Sequence, residues 1–390
     1  MGGWESALED MGINMTGLFN GIYSGKKVLV TGHTGFKGSW LSLWLNALGA
    51  EVVGYALPPD TRPSMFEATR LQSHITHIEG DVRDFDHLAR VLADYKPDMV
   101  FHLAAQPLVR LSYEQPRLTY ETNIMGTVNL LESIRTADTV KVCTVITSDK
   151  CYENHEWVYS YRENDALGGH DPYSASKAGA EIVVGSYRRS YFDSQDNTIA
   201  LASARAGNVI GGGDWAMERL VPDTIRALSK DTPILVRNPR AVRPWQFVLE
   251  PLSGYLWLAA RMWELGPVLA SAYNFGPGDD VILNVSEMTE RVIEKWGSGT
   301  WEDVSVFKTA SLHEAHYLQL DCSRSRRLLE WFPIFDVGQA IGSTVDWYKH
   351  YYSNPSQDMY DFTFQQIARY VGEARASNAR WAGGTDQDEQ

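Results

Sequence analysis

Cysteine, positive charge and long apolar runs are what this sequence has least of. Three cysteines in 390 residues, Cys143, Cys151 and Cys322, are too few and too scattered for a disulfide framework. A reducing compartment, and so a cytoplasmic address, is expected. Lysine and arginine number 35 against 49 acidic residues, for a formal net charge of -14. That balance excludes a general affinity for nucleic acid or an anionic membrane surface, so any phosphate must be gripped locally. No apolar run approaches the roughly 18 residues of a membrane span. The start, MGGWESALED, lacks the basic and apolar regions of a signal peptide. Met1, Gly2 and Ser6 fit the myristoylation pattern, which is too permissive to carry an anchor. HEAH, from His313 to His316, spaces its histidines three apart where the helical zinc motif needs four, so no metal is expected.

What is present is ordinary globular composition, 44% hydrophobic and 22% charged, enough for a sizeable core. Strand and helix patterns alternate: KKVLVT, a helix through Trp40, Leu41, Trp44, Leu45 and Leu48, EVVGYA, HITHIEG, a helix from about Phe85 to Tyr95, and MVFHLA. A long helix around Tyr120 to Thr136, KVCTVIT, a helix from Tyr173 to Ser190 and TIALASA follow. Such alternation predicts an α/β fold, a Rossmann-type doubly wound parallel sheet. After about Gly207 the segments shorten and gain Gly, Pro and Arg, as in a smaller C-terminal substrate-binding lobe. The expected organisation is a peripheral leader at 1–24, a dinucleotide-binding domain at 25–206, a lobe at 207–352 that partly returns to the first domain, and a polar tail at 353–390 with a disordered end.

TGHTGFKG places Gly32, Gly35 and Gly38 between a buried strand and a helix. There, missing side chains let the backbone approach a pyrophosphate at the helix N-terminus. The strand before and the helix after make the signal strong. An acid that would hold the adenosine ribose of NAD belongs at the end of the second strand. Here that strand ends Tyr55, Ala56, Leu57, with Asp60 late and Arg62 behind it, so charge leaves NAD against NADP open.

DPYSASK sets Tyr173 and Lys177 four apart on a helix, hence on one face. A phenol is a poor base at neutral pH, but a neighbouring ammonium favours the phenolate. Such a pair can deprotonate a hydroxyl while hydride leaves the same carbon. TSDK adds Ser148, Asp149 and Lys150 at the C-terminal end of a central strand, the edge where α/β enzymes bind ligands. Ser148 can hydrogen-bond a sugar oxygen, and Asp149 can donate a proton if burial raises its pKa.

These residues, with GDVRD, FHLAAQ, TNIMGT and RAGNVIGGGD, resemble the extended short-chain dehydrogenase/reductase superfamily from about Lys26 to Tyr352. AAQPLVRLSYEQP, TSDKCY, NVIGGGDWA, RPWQ and HEAHYLQLDCS are similar to the CDP-glucose 4,6-dehydratase family within it. The resemblance implies a bound NAD, with oxidation at carbon 4 of the sugar, loss of water across carbons 5 and 6, and reduction at carbon 6. It implies cofactor contacts at Gly32, Thr34, Gly35, Phe36 and Gly38, at Asp81 and Val82 by the adenine, and at Leu103, Ala104, Ala105 and Gln106 along the middle. Tyr173 and Lys177 would stand at the nicotinamide end, and Asn208, Arg219, Arg237 and Arg243 would face the substrate nucleotide and diphosphate. Relatives acting on other nucleotide sugars place Glu after the catalytic Asp as base for carbon 5. Here that position is Lys150, which is the base if its pKa is depressed and otherwise an electrostatic stabiliser. A homo-oligomer, dimer or tetramer, and a role in deoxysugar supply are also implied.

Rival readings are a sugar-nucleotide epimerase, a dehydratase for another nucleotide sugar, a dinucleotide sensor without chemistry, and a net reductase. Asp149 discriminates against the epimerase, which needs no acid there. Ser148, Tyr173 and Lys177 speak against the sensor.

Overall fold

The computed structural model describes residues 14–192, 199–278, 283–305 and 317–383. Its main sheet is built from β1 (Lys27–Thr31), β2 (Glu51–Ala56), β3 (Thr76–Glu79), β4 (Met99–His102), β5 (Val142–Ile146), β6 (Ala200–Arg205) and β7 (Ala272–Asn274). All pair in parallel, in the order β7-β6-β5-β4-β1-β2-β3. β4, β5 and β6 are buried along their whole length, which is why they read as near-continuous apolar runs. The chain runs outward from β1 to β3 and then crosses back to β4. That reversal opens a crevice beyond the C-terminal ends of β1 and β4.

The longer helices of the first half are α1 (Phe36–Ala47), α2 (Phe85–Tyr95), α3 (Gly126–Arg135) and α4 (Pro172–Tyr187). Their starts are chemical. Asp84 caps α2 by accepting from the His87 amide at 3.0 Å, and Asp171 caps α4 by accepting from the Ser174 amide at 2.9 Å. Pro172 follows Asp171 at the first helical position, where its missing N–H costs nothing, so Tyr173 falls in the first turn.

Beyond Gly207 come α5 (Leu220–Leu228), α6 (Leu249–Leu265), α7 (Val285–Trp296), α8 (Val337–Ser353) and α9 (Tyr360–Ala376). α6 is buried over most of its length and packs against β5 and β6 before leading to β7, so the second half is threaded through the first. Among the described residues no helix is long and apolar enough to cross a membrane.

Both chain ends differ from the sequence reading. Residues 353–390, read as a polar tail, contain α9, whose Tyr360, Phe364, Ile367, Val371 and Ala374 are buried at helical spacing. Trp381 stacks on Phe19 with ring centroids 5.1 Å apart and planes 11° from parallel. Of the segment read as a peripheral leader, the described residues from 14 onward bury Met15, Leu18, Phe19 and Tyr23, and the Tyr23 hydroxyl donates to the Leu256 carbonyl at 2.6 Å. Glu250 of α6 fastens this region: it accepts from the Ile334 and Phe335 amides at 2.9 and 2.6 Å and from the Tyr370 hydroxyl at 2.8 Å. Even so, burial pushes its carboxyl up to about 7. The residues expected to be disordered at the end, and HEAH, lie outside the described residues.

Candidate active site

A cleft of about 1120 Å³ opens over the crevice. Single-ligand pockets usually span roughly 300–1,000 Å³, so this one has room for a dinucleotide and a second ligand.

Gly32, Thr34, Gly35, Phe36, Gly38, Asp81, Val82, Leu103, Ala104 and Ala105 all line it. The turn closes tightly on itself: a Cβ on Gly32 would stand 2.6 Å from the Ala104 nitrogen, and one on Gly38 would stand 2.1 Å from the Gly32 carbonyl oxygen. A Cβ on Gly35 would meet only the Gly32 carbonyl oxygen, at 3.4 Å. Gly35 is the N-cap of α1, and no side chain caps the amides there, so this cradle fits a dinucleotide pyrophosphate. Gln106 does not line the cleft. Its side-chain amide donates to Thr119 Oγ1 at 2.8 Å and to the Leu108 carbonyl at 3.1 Å, and its backbone amide donates to Asn123 Oδ1 at 2.8 Å. It braces the loop, because its polar atoms are already spent on protein partners.

On the opposite edge β5 ends in a single helical turn, Asp149–Cys151, capped by Ser148. Ser148 Oγ accepts from the Lys150 amide at 3.2 Å and donates to Asp149 Oδ1 at 2.8 Å. Asp149 is 5% exposed, and a Cβ on Gly207 would fall 2.0 Å from its Oδ2. Only glycine at 207 leaves this carboxylate its place. Tyr173, Lys177 and Lys150 face the same cleft.

Burial pushes the Tyr173 phenol up to about 12; a hydrogen bond with Ser148 opposes this, Asp149 adds to it and Arg219 counters it. The sequence reading made Lys177 the cation acting on Tyr173. Arg219 is a cation that counters this rise from the lobe side, while Lys177 Nζ donates to the Ile146 carbonyl at 3.4 Å. Burial brings Lys177 down to about 8, against the opposing pull of the Glu181 carboxylate.

Asn208, Arg219, Arg237 and Arg243 line the lobe side. Arg219 pairs with Asp214 at 2.8 Å, Arg237 stands 3.9 Å from Glu218, and Arg110 pairs with the same Glu218 at 2.7 Å. Arg110, Asp214 and Glu218 were missed by sequence reasoning, as was Lys37 in the first turn of α1. Burial brings Lys37 down to about 8, Arg219 and Lys177 adding to the effect and Asp149 and Asp214 opposing it. The signal was there: a lysine inside GFKG, the one charged side chain of fixed sign in the glycine turn.

A sheet of this order, with the glycine turn on β1, a serine and an acid after β5 and Tyr and Lys one turn apart on the next helix, defines a dinucleotide-dependent short-chain dehydrogenase/reductase enzyme. The chain belongs to the family described as GDP-mannose 4,6 dehydratase, whose model matches residues 29–342. It is 48% identical over 355 residues to the CDP-glucose 4,6-dehydratase of Salmonella typhimurium, covering 90% of this chain and 97% of that protein. Solved structures share the fold. The dTDP-glucose 4,6-dehydratase DesIV of Streptomyces venezuelae, crystallised with NAD, gives a TM-score of 0.70 at 24% identity over 85% of this chain and 100% of that one. The UDP-glucose 4-epimerase of Thermotoga maritima gives 0.71 at 21% identity over 83% and 99%.

Proposed function

We propose that this chain dehydrates CDP-D-glucose to CDP-4-dehydro-6-deoxy-D-glucose, with NAD as its resident cofactor. The observation that carries dehydration is the buried Asp149 carboxylate, hydrogen-bonded to Ser148 in the cleft that Tyr173 and Lys177 face. The 48% identity over nearly the whole Salmonella enzyme supports the cytidine nucleotide.

NAD, held along the glycine turn, would supply the hydride chemistry at carbons 4 and 6. The chain's residues move the protons. Ser148 holds the 4-hydroxyl oxygen while Tyr173 takes its proton, with Arg219 and Lys177 as the cations that favour the phenolate. The resulting ketone acidifies the hydrogen on carbon 5. Asp149, in its carboxylic-acid form, gives its proton to the 6-hydroxyl, which leaves as water. With Lys177 serving Tyr173, the cleft offers Lys150 and Lys37 as amines for the carbon-5 proton. In this reading Lys37, which burial brings down to about 8, takes the proton, and Lys150 stabilises the enolate.

We place the enzyme in the cytoplasm, in deoxysugar supply for polysaccharide. We also assign it a homo-oligomeric state, since Tyr113, Tyr120, Met125 and Ile182 stay exposed on neighbouring helices.

Incubation with CDP-, UDP-, GDP- and dTDP-hexoses followed by mass spectrometry tests the reading. Loss of one water from CDP-glucose alone is expected, and deuterium from carbon 4 should appear on carbon 6. An unchanged mass with inverted carbon 4 makes the enzyme an epimerase, and steady consumption of free reduced cofactor makes it a reductase.

A further inference from the structure

Behind the reaction centre lies a charge that no step above uses. Glu181, one helical turn past Lys177 on α4, is fully enclosed with Arg205 of β6; both side chains are 3% exposed and their charged atoms lie 2.7 Å apart. Glu181 also accepts from the Thr147 hydroxyl and from the Ser203 hydroxyl, the latter at 2.7 Å. Arg205 Nη1 continues the chain of contacts to the Tyr152 hydroxyl at 2.7 Å, and that hydroxyl donates to Asn274 Oδ1 at 2.7 Å.

The placement is specific. Thr147 immediately precedes Ser148, and Tyr152 immediately follows the Asp149–Cys151 turn. One carboxylate therefore grips the catalytic turn at both ends, directly through Thr147 and through Arg205 at Tyr152. The same carboxylate faces Lys177 from its own helix. Burial alone would raise a carboxyl here; Arg205, Thr147 and Ser203 outweigh it and hold Glu181 below the usual range. It stays charged under the Lys177 ammonium.

We propose that Glu181 is a positioning residue for the reaction: it fixes the Ser148–Asp149–Lys150 turn against the helix bearing Tyr173 and Lys177, and keeps Lys177 in its ammonium form. This rests on the dehydratase reading for the role given to Lys177. Around Lys177 the other titratable groups among the described residues include Tyr173 on its helix, Asp149, Lys150 and Cys151 of the catalytic turn, His102 at the end of β4 and Lys37 on α1. Burial holds the Cys151 thiol far up and pushes His102 down to about 3, so neither changes charge near 8.

In the full-length protein, Glu181→Gln is expected to lower kcat about tenfold or more with KM within about twofold, since the displaced groups act on chemistry more than on binding. Because Lys177 acts as its ammonium, the rate falls on the alkaline side as that proton is lost. Without the carboxylate the ammonium is less favoured, so this fall moves down by about one pH unit. NMR titration of 13C-labelled lysine, with Lys177 assigned through Lys177→Arg, reads the same shift without turnover and apart from Lys37. Thr147→Val, which keeps the charge, should lower kcat and leave the alkaline fall in place. If Glu181→Gln does not fold, Glu181→Gln/Arg205→Met removes both charges, as buried pairs often tolerate. It carries the same prediction for kcat, because the grip on both ends of the turn is gone. A folded variant with wild-type rate, alkaline limb and Lys177 titration overturns the proposal. If the wild type dehydrates no nucleotide sugar, the functional reading falls while the titration still decides the part played by Glu181.

Discussion

On the sheet side of the cleft, Ser148, Asp149, Tyr173 and Lys177 are all under 10% exposed. On the lobe side, Arg110 and Arg237 are 51% and 46% exposed and share one half-open carboxylate, Glu218. Exposed pairs of this kind contribute about 0–1 kcal/mol and exchange partners readily, whereas a buried group keeps the geometry folding gives it. The sheet wall is suited to proton transfer, which demands fixed distances. The lobe wall is suited to phosphate, which must be captured and released.

That contrast can be broken from either side. Tyr173→Phe removes only the acidic hydroxyl, so turnover should fall on the order of 10³-fold while NAD stays bound, measured as cofactor retained after gel filtration. Near-normal turnover would take Tyr173 out of the chemistry. Gly207→Ala drives a methyl into the Asp149 carboxylate, and kcat should drop about 10²-fold with little change in KM. A variant that only weakens binding would show that Asp149 is not held for catalysis. Arg219→Met should raise KM about tenfold, the scale of one charged hydrogen bond. Because Arg219 also acts on Tyr173, it should lower kcat more than any other lobe-side arginine. Arg237→Met should change KM only about twofold, and that difference should fade as salt screens the exposed charge. If Arg237→Met outweighs Arg219→Met, the inner and outer positions on the lobe wall have been exchanged.

The same contrast explains what was legible. The strand and helix runs of the first half came through because fully buried parallel strands and capped helices leave local marks. DPYSASK carries its own cap, proline and reactive pair within seven residues. Gln106 was misplaced because its partners, Thr119 and Asn123, sit 13 and 17 residues away and took its polar atoms inward. The tail was misjudged because α9 dilutes its apolar stripe with polar residues, and Trp381 finds Phe19 only across 362 positions of chain. Arg219 could not be named as the cation nearest in effect to Tyr173, since 46 residues and a change of lobe separate them.

From its residues alone this protein is committed to a parallel sheet, a phosphate-ready glycine turn after β1, and a tyrosine and lysine on one face of one helix. Those features depend on neighbours a few positions away, so local periodicity and capping suffice to specify them. Which charges act on one another was left to the folded chain: Arg219 on Tyr173, Arg205 on Glu181, Lys37 beside Asp149. Electrostatic effect depends on distance and burial, and both exist only once segments far apart in the chain have packed together.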